Sequence, residues 1–289
     1  MPTLGWLAQP AVLPWVALAL GLCIGSFLNV VIHRLPRMME REWRAQCAEL
    51  AGQTPPAAER YDLVAPRSAC PACGHRLRAW ENIPVLSWLA LRGRCSACGA
   101  RISLKYPLVE LLAGSGAAYA AWRFGPSAAA LGAALFVWFT IALAFIDQET
   151  GYLPDDLTLP LVWIGLLVNL GGAFVPLSDA VIGAAAGYLF LWSVNAAFRA
   201  LRGMDGMGYG DFKLYAAVGA FLGWKVLPLV ILLSSLVGLV FGSLQMFSAR
   251  RGWDWKFRFH FGPYLALAGI LAMFWGPAIL QRFPMLRFA

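Results

Sequence analysis

Charged side chains are scarce in this chain: Asp, Glu, Lys and Arg make up 13% of its 289 residues, about half the share found in an ordinary soluble domain. Histidine is scarcer still. Its three copies lie far apart and none belongs to an HExxH segment, so a histidine-based zinc hydrolase has no support. No glycine-rich phosphate loop follows a strand-like run, no Ser/His/Asp arrangement stands out, and no internal repeat is found. The first 32 residues contain no Lys, Arg, Asp or Glu at all. A secretory signal needs a basic start and a shorter apolar core, so residues 10–32 read as a retained first span.

What is abundant is apolar. Hydrophobic residues make up 60% of the chain and mean hydropathy is +0.65. This predicts an all-α polytopic membrane protein. Further spans of the length a bilayer needs fit residues 107–123, 127–146, 156–175, 179–200, 212–224, 225–248 and 261–281, making eight in all. With the long loop inside, 19 of the 23 Lys and Arg residues fall on one side, and only Arg123, Lys225, Arg282 and Arg287 fall on the other. The positive-inside rule then puts residues 34–105 in the cytosol and both termini on the outer side. The net charge of +8 follows from this bias and suits anionic lipid. Nothing requires nucleic acid. Three parts result: a first span at 1–33, a cytosolic loop at 34–105, and a transmembrane domain at 106–283.

The loop holds four of the six cysteines as Cys70-Pro71-Ala72-Cys73 and Cys95-Ser96-Ala97-Cys98, each pair followed by a glycine. Two such pairs nearly match the four-cysteine metal pattern, and four thiolates suit tetrahedral Zn²⁺. Two disulfides are the alternative, disfavoured in a reducing cytosol. His75 then reads as an outer neighbour of the metal or as exposed. Cys47 reads as a free thiol and Cys23 as a packing residue. Residues 38–66 read as a helix followed by a flexible link. The Trp80-Glu81-Asn82-Ile83-Pro84 stretch is expected to pack on the cysteine turns or lie on the membrane surface. In the first span, Gly25 and Ser26 suit close helix packing, and Asn29 suits a helix–helix hydrogen bond.

Of the fifteen acids, only Glu110, Asp147 and Asp211 abut apolar spans. Glu110 reads either as a first-turn acid favoured by the helix dipole or as a recogniser of a cationic group. Asp147 ends one span, and Asp211, in Gly208-Tyr209-Gly210-Asp211, begins another. The topology puts both at the same cytosolic face. Two carboxylates in contact cannot both ionise cheaply and share one proton, the arrangement of an aspartic protease. A proton or ion pathway would use the same acids, and each could merely cap a helix. Glu149, Asp155 and Asp156 follow Asp147 and could hold a basic peptide.

The motifs in order resemble the bacterial type IV prepilin peptidases, of the GxGD class of membrane aspartic proteases. Those that match are Gly25-Ser26-Phe27-Leu28-Asn29 through Pro36, both cysteine pairs, Trp80 to Pro84, and Leu91-Arg92-Gly93-Arg94-Cys95. They continue with Tyr106-Pro107-Leu108-Val109-Glu110, Asp147 through Leu153-Pro154-Asp155, Gly206 through Lys213, and Phe261-Gly262-Pro263. His260 ahead of that last motif departs from the family pattern. The resemblance implies Asp147 and Asp211 as the catalytic pair and Cys70, Cys73, Cys95 and Cys98 as zinc ligands. It also implies prepilin and pseudopilin substrates of pilus and type II secretion systems, cut after the basic leader at the cytosolic face of the inner membrane. The new N-terminus is then methylated from S-adenosylmethionine. The methyl-transfer site is sought in residues 70–110, with Gly93 and Glu110 as its candidates.

Overall fold

In the computed structural model, which describes residues 9–53, 60–248 and 260–282, the first span does not stop at the membrane edge. Helix α1 (Leu13–Leu50) runs on for 38 residues through Pro36. The charged segment behind Pro36 is itself strongly helix-forming, and Arg44 pairs with Glu40 one turn earlier at 2.6 Å, a spacing that supports a helix. The expected helix after Met38 is therefore the continuation of the first span. Residues 54–59 of the expected flexible link, the basic residues 250–258, and both chain ends lie outside the described residues.

The chain divides into two units, residues 1–126 and 127–289. In the first, α1 packs along α3 (Lys105–Phe124), with α2 (Leu86–Ala90) in the loop between them. Small residues make this packing close. A Cβ on Gly25 would stand 2.6 Å from the Cα of Glu110, and one on Gly21 would stand 2.7 Å from the carbonyl oxygen of Ala113. Asn29 is buried and its Nδ2 donates to the Tyr106 carbonyl at 3.0 Å, the helix–helix bond expected of it. Where α1 leaves the apolar region, the guanidinium of buried Arg34 donates to the carbonyls of Asp62 and Pro66 at 2.8 and 2.6 Å. Asp62 closes its own turn by accepting from the N–H groups of Val64 and Ala65. Together with Arg60, these donors hold its carboxyl at about 2.

The second unit contains α4 (Ala128–Thr150), α5 (Asp155–Val168), α6 (Leu177–Arg202), α7 (Tyr209–Leu222), α8 (Leu227–Ser248) and α9 (Gly262–Arg282). Its centre is α7. Apart from Lys213, every residue from Asp211 to Leu222 is buried, as expected for a helix apolar on all sides and surrounded by others. Glycines let α6 lie against it: a Cβ on Gly187 would meet the Tyr215 carbonyl oxygen at 2.7 Å. Asn169, just past α5, donates to the carbonyls of Ala220 and Phe221 at 2.9 Å and satisfies the end of α7.

Among the described residues, five helical stretches are long and apolar enough to cross a membrane: α1, α4, α6, residues 224–241 and α9. Large apolar side chains stand exposed on them, including Ile182, Leu189 and Phe190 on α6 and Leu236 and Leu239 on α8, as on lipid-facing helices. The expected spans at 156–175 and 212–224 are shorter helices of 14 residues each. At 1.5 Å per residue each measures about 21 Å, against a hydrocarbon core of about 30 Å. Both carry acids at their first turns; α7 is the inner helix of the unit, whereas α5 exposes Leu159, Trp163 and Leu167.

Candidate active site and metal centre

Asp147 lies in the last turn of α4, which Gly151 closes in a left-handed conformation by donating to the Asp147 carbonyl at 2.8 Å. That cap reverses the chain and lets Leu153-Pro154 lead into α5. Asp211 lies in the first turn of α7, its N–H donating to the Gly208 carbonyl at 3.2 Å. The two carboxylates arrive from different helices, both are buried, and Asp211 lies within electrostatic reach of Asp147.

What surrounds them is mostly backbone and glycine. Asp147 Oδ2 accepts from the Gly262 N–H at the start of α9, at 3.1 Å, and a Cβ on Gly262 would come within 2.7 Å of that oxygen. Leu153 fills the space between two glycines. A Cβ on Gly210 would meet the Leu153 Cβ at 2.5 Å, and one on Gly262 would meet its Cδ1 at 3.3 Å. Any side chain at Gly210 or Gly262 would push Leu153 or Asp147 aside. Asp211 Oδ1 is buried with no hydrogen-bond partner among the described residues, so one carboxylate oxygen stands ready for an added donor. A donor there is worth more than in water, since an unsatisfied buried acceptor is costly.

Two polar neighbours were not legible as site residues. His260 sits beside Asp147 and interacts with it electrostatically, and its Nε2 lies 3.4 Å from where a Cβ on Gly151 would stand. The only signal for it is that it precedes Phe261-Gly262-Pro263. Lys213 binds Asp155 through both carboxylate oxygens, at 2.5 and 2.7 Å. Asp155 thereby ties the start of α5 to α7, while Glu149 and Asp156 are exposed.

The four cysteines of the loop come together. Their sulfurs all lie within 4.8 Å of one another, with Cys70 and Cys98 at 3.9 Å and Cys73 and Cys95 at 4.0 Å. No pair is at bonding distance, so none forms a disulfide. Each pair is built in the same way. Gly74 and Gly99, both at positive φ, donate to the carbonyls of Cys70 and Cys95, and these cysteines in turn bond back to His75 and Ala100. N–H groups inside the turns point at sulfur. Those of Ala72 and Cys73 draw the Cys70 thiol down to about 7, and those of Cys98 and Ala97 lower that of Cys95. The N–H of His75 favours a thiolate at Cys73, but the neighbouring Cys98 sulfur, burial and Cys70 push that thiol up to about 12. Four sulfurs so close repel once ionised, and a cation at their centre relieves that repulsion.

Glu81 braces the two turns. Its carboxylate accepts from the Arg78 N–H at 2.7 Å, from the Ser96 hydroxyl and from His75 Nε2 at 3.2 Å, and the set holds its carboxyl at about 2. His75 is thus an outer neighbour of the cysteine cluster, as expected. Glu110 is buried on α3 and accepts from the Val85 N–H at 2.7 Å, which pins a residue at φ 60°. Gly93 also has positive φ and lies under Trp88, where a Cβ would come within 2.7 Å of the indole. These two residues fix opposite ends of the segment 85–93.

Residues 19–124 match the family model described as bacterial peptidase A24 N-terminal domain, and residues 134–243 match the type IV leader peptidase family. Their boundary falls where the chain divides into its two units. Over 276 residues the chain is 54% identical to a protein of Aeromonas salmonicida named prepilin leader peptidase/N-methyltransferase, covering 93% of this chain and 94% of that one. Proteins of the same name from Stutzerimonas stutzeri and Pseudomonas aeruginosa are 52% and 50% identical. Those matches cover 96% of this chain and 95% of the first relative, and 98% of both chains for the second. No solved structure matches the chain significantly.

Proposed function

The chain belongs to the type IV leader peptidase family, and from that membership we infer that it cuts the leader from type IV prepilins and N-methylates the residue so exposed. It is a membrane-embedded peptidase and methyltransferase. We assign proteolysis to Asp147 and Asp211. One observation supports this above the rest: two buried carboxylates from separate helices lie within each other's field, set among glycines whose missing side chains let Leu153 and the α9 backbone pack close to them.

The pair holds one proton. The ionised member takes a proton from water as the water attacks the scissile carbonyl carbon, and the protonated member donates to the carbonyl oxygen. Collapse of the tetrahedral species breaks the C–N bond: the acid that took the proton from water gives it to the leaving amine, the former carbonyl hydroxyl returns its proton to the other acid as C=O re-forms, and the pair is back in its first state. The Gly262 N–H keeps Asp147 aimed through this cycle. The cut is placed at the cytosolic face of the inner membrane, with both termini periplasmic, and pseudopilins are included among the substrates.

Methyl transfer needs an unprotonated α-amine lined up with an electrophilic methyl group, which S-adenosylmethionine supplies when bound. A free α-amine has a pKa of about 7.7–8.0, so no aspartate pair is needed for that step. We assign it to the region of residues 70–110, with Gly93 and Glu110 as candidate residues. We assign zinc to the four cysteines. Zn–S bonds of about 2.3 Å in a tetrahedron put sulfurs about 3.8 Å apart, close to the spacing of Cys70 from Cys98 and of Cys73 from Cys95.

Three outcomes are expected. Purified protein should contain one zinc per chain by elemental analysis, and Cys95→Ser should lower both that content and the protease resistance of residues 60–105. Metal-free protein with its cysteines oxidised in pairs would refute the assignment. Asp147→Asn and Asp211→Asn should each abolish prepilin cleavage yet still transfer label from S-adenosylmethionine to a pilin already trimmed to its N-terminal Phe. Cleavage near the wild-type rate by either variant would overturn the dyad, and loss of methylation by both folded variants would make the two sites one.

The third concerns the leader. Glu149, Asp155 and Asp156 are proposed to attract its basic residues, with Asp155 also holding Lys213. At about 0.5 kcal/mol per exposed charge, neutralising all three should raise KM for prepilin by about ten-fold. The effect should be larger at low salt and small for a substrate whose leader lysines are replaced. An equal loss on both substrates would assign the three acids to structure alone.

A further inference from the structure

We propose that Asn195, on α6, is the positioning residue that sets the catalytic placement of Asp211. This rests on the assignment of Asp211 to the proteolytic pair. Six residues, 203–208, connect the end of α6 to the start of α7. Gly208 occupies the N-cap of α7 and supplies no side-chain cap, so the loop must be held from outside if Asp211, one turn further on, is to stay in place.

Asn195 does this with one buried carboxamide. Its Oδ1 accepts from the N–H groups of Gly206 and Met207 at 2.9 and 3.2 Å, and its Nδ2 donates to Asp205 Oδ1 at 3.0 Å. Two N–H donors on one side and a carboxylate on the other fix which way the amide faces. One helical turn on, Phe198 and Arg199 complete the cradle. A Cβ on Gly206 would come within 2.8 Å of the Phe198 ring, and Arg199 reaches Asp205 at 3.9 Å. Asn195 is only 5% exposed, so losing its partners would leave polar groups of the loop unsatisfied and free the loop to shift.

A shift there moves Asp211 relative to Asp147, and a misplacement of about 1 Å at a reacting group costs about a hundred-fold in rate. Asp205, the one charged group of the loop, is already engaged by Asn195 and Arg199, so the loss should fall on kcat rather than KM.

The test exchanges the two side chains. Asn195→Asp keeps acceptors for both N–H groups but sets a second carboxylate against Asp205, whereas Asp205→Asn leaves the Asn195 amide only a neutral oxygen to donate to. Together the two changes rebuild the donor–acceptor pair with its polarity reversed, and the moved charge stays one turn from Arg199. For purified full-length enzyme acting on prepilin, Asn195→Asp should lower kcat by about ten- to a hundred-fold with KM within about two-fold. The double variant should recover kcat to within about three-fold of wild type, a rescue that loss of bulk or general destabilisation would not give. Wild-type kcat in Asn195→Asp, or a double variant no faster than the slower single one, would overturn the proposal. The dyad reading is judged separately: it falls if Asp211→Asn cuts, whatever the exchange shows.

Discussion

Burying a carboxylate among apolar helices is costly unless the fold gives it a partner or a use. This chain does it twice within one unit, and much of that unit follows from the need. Asp211 is buried because α7 is surrounded on all sides, which in turn needs glycines on α6 for close approach and Asn169 to satisfy the far end of the helix. Asp147 is held by a backbone N–H from α9, with His260 beside it. A backbone donor orients the group and leaves the proton to the pair.

The first unit meets a different constraint. Its loop has little apolar core of its own, so order comes from donors and acceptors. Arg34 clamps the chain leaving α1, Asp62 closes a turn, Glu81 bridges the cysteine turns, and Glu110 pins Val85. Residues with positive φ, among them Gly74, Gly93, Gly99 and Val85, mark where the chain bends most sharply. A metal held by the four sulfurs would join the two halves of this frame.

Much of this was legible in the residues themselves. Long apolar runs and the paucity of charge gave the helical membrane class, the cysteine spacing gave the cluster, and acids at the ends of apolar runs singled out Asp147 and Asp211. The close approach of α1 to α3 could be read from Gly25 and Asn29. What could not be read depends on partners distant in sequence. Asn195 looks like any polar residue on an amphipathic helix until the loop folds back over it. Glu81 and Arg34 pass for solvated loop charges until their backbone partners are known. Helix length also escaped local reading, because strong helix formers carry α1 past Pro36 and because α5 and α7 end where Asn169 and Gly223 provide stops.

That Asp147 and Asp211 act as one proton-sharing unit is most directly tested by comparing single and double losses. Residual prepilin cleavage is measured in single-turnover conditions, with enzyme in excess and over long times, for Asp147→Asn, Asp211→Asn and the variant carrying both. Residues that work as a unit are strongly non-additive, so the double variant should cut within about three-fold of the slower single variant. A double variant whose loss is the product of the two single losses would mean that the two acids act independently, and would contradict the shared-proton mechanism.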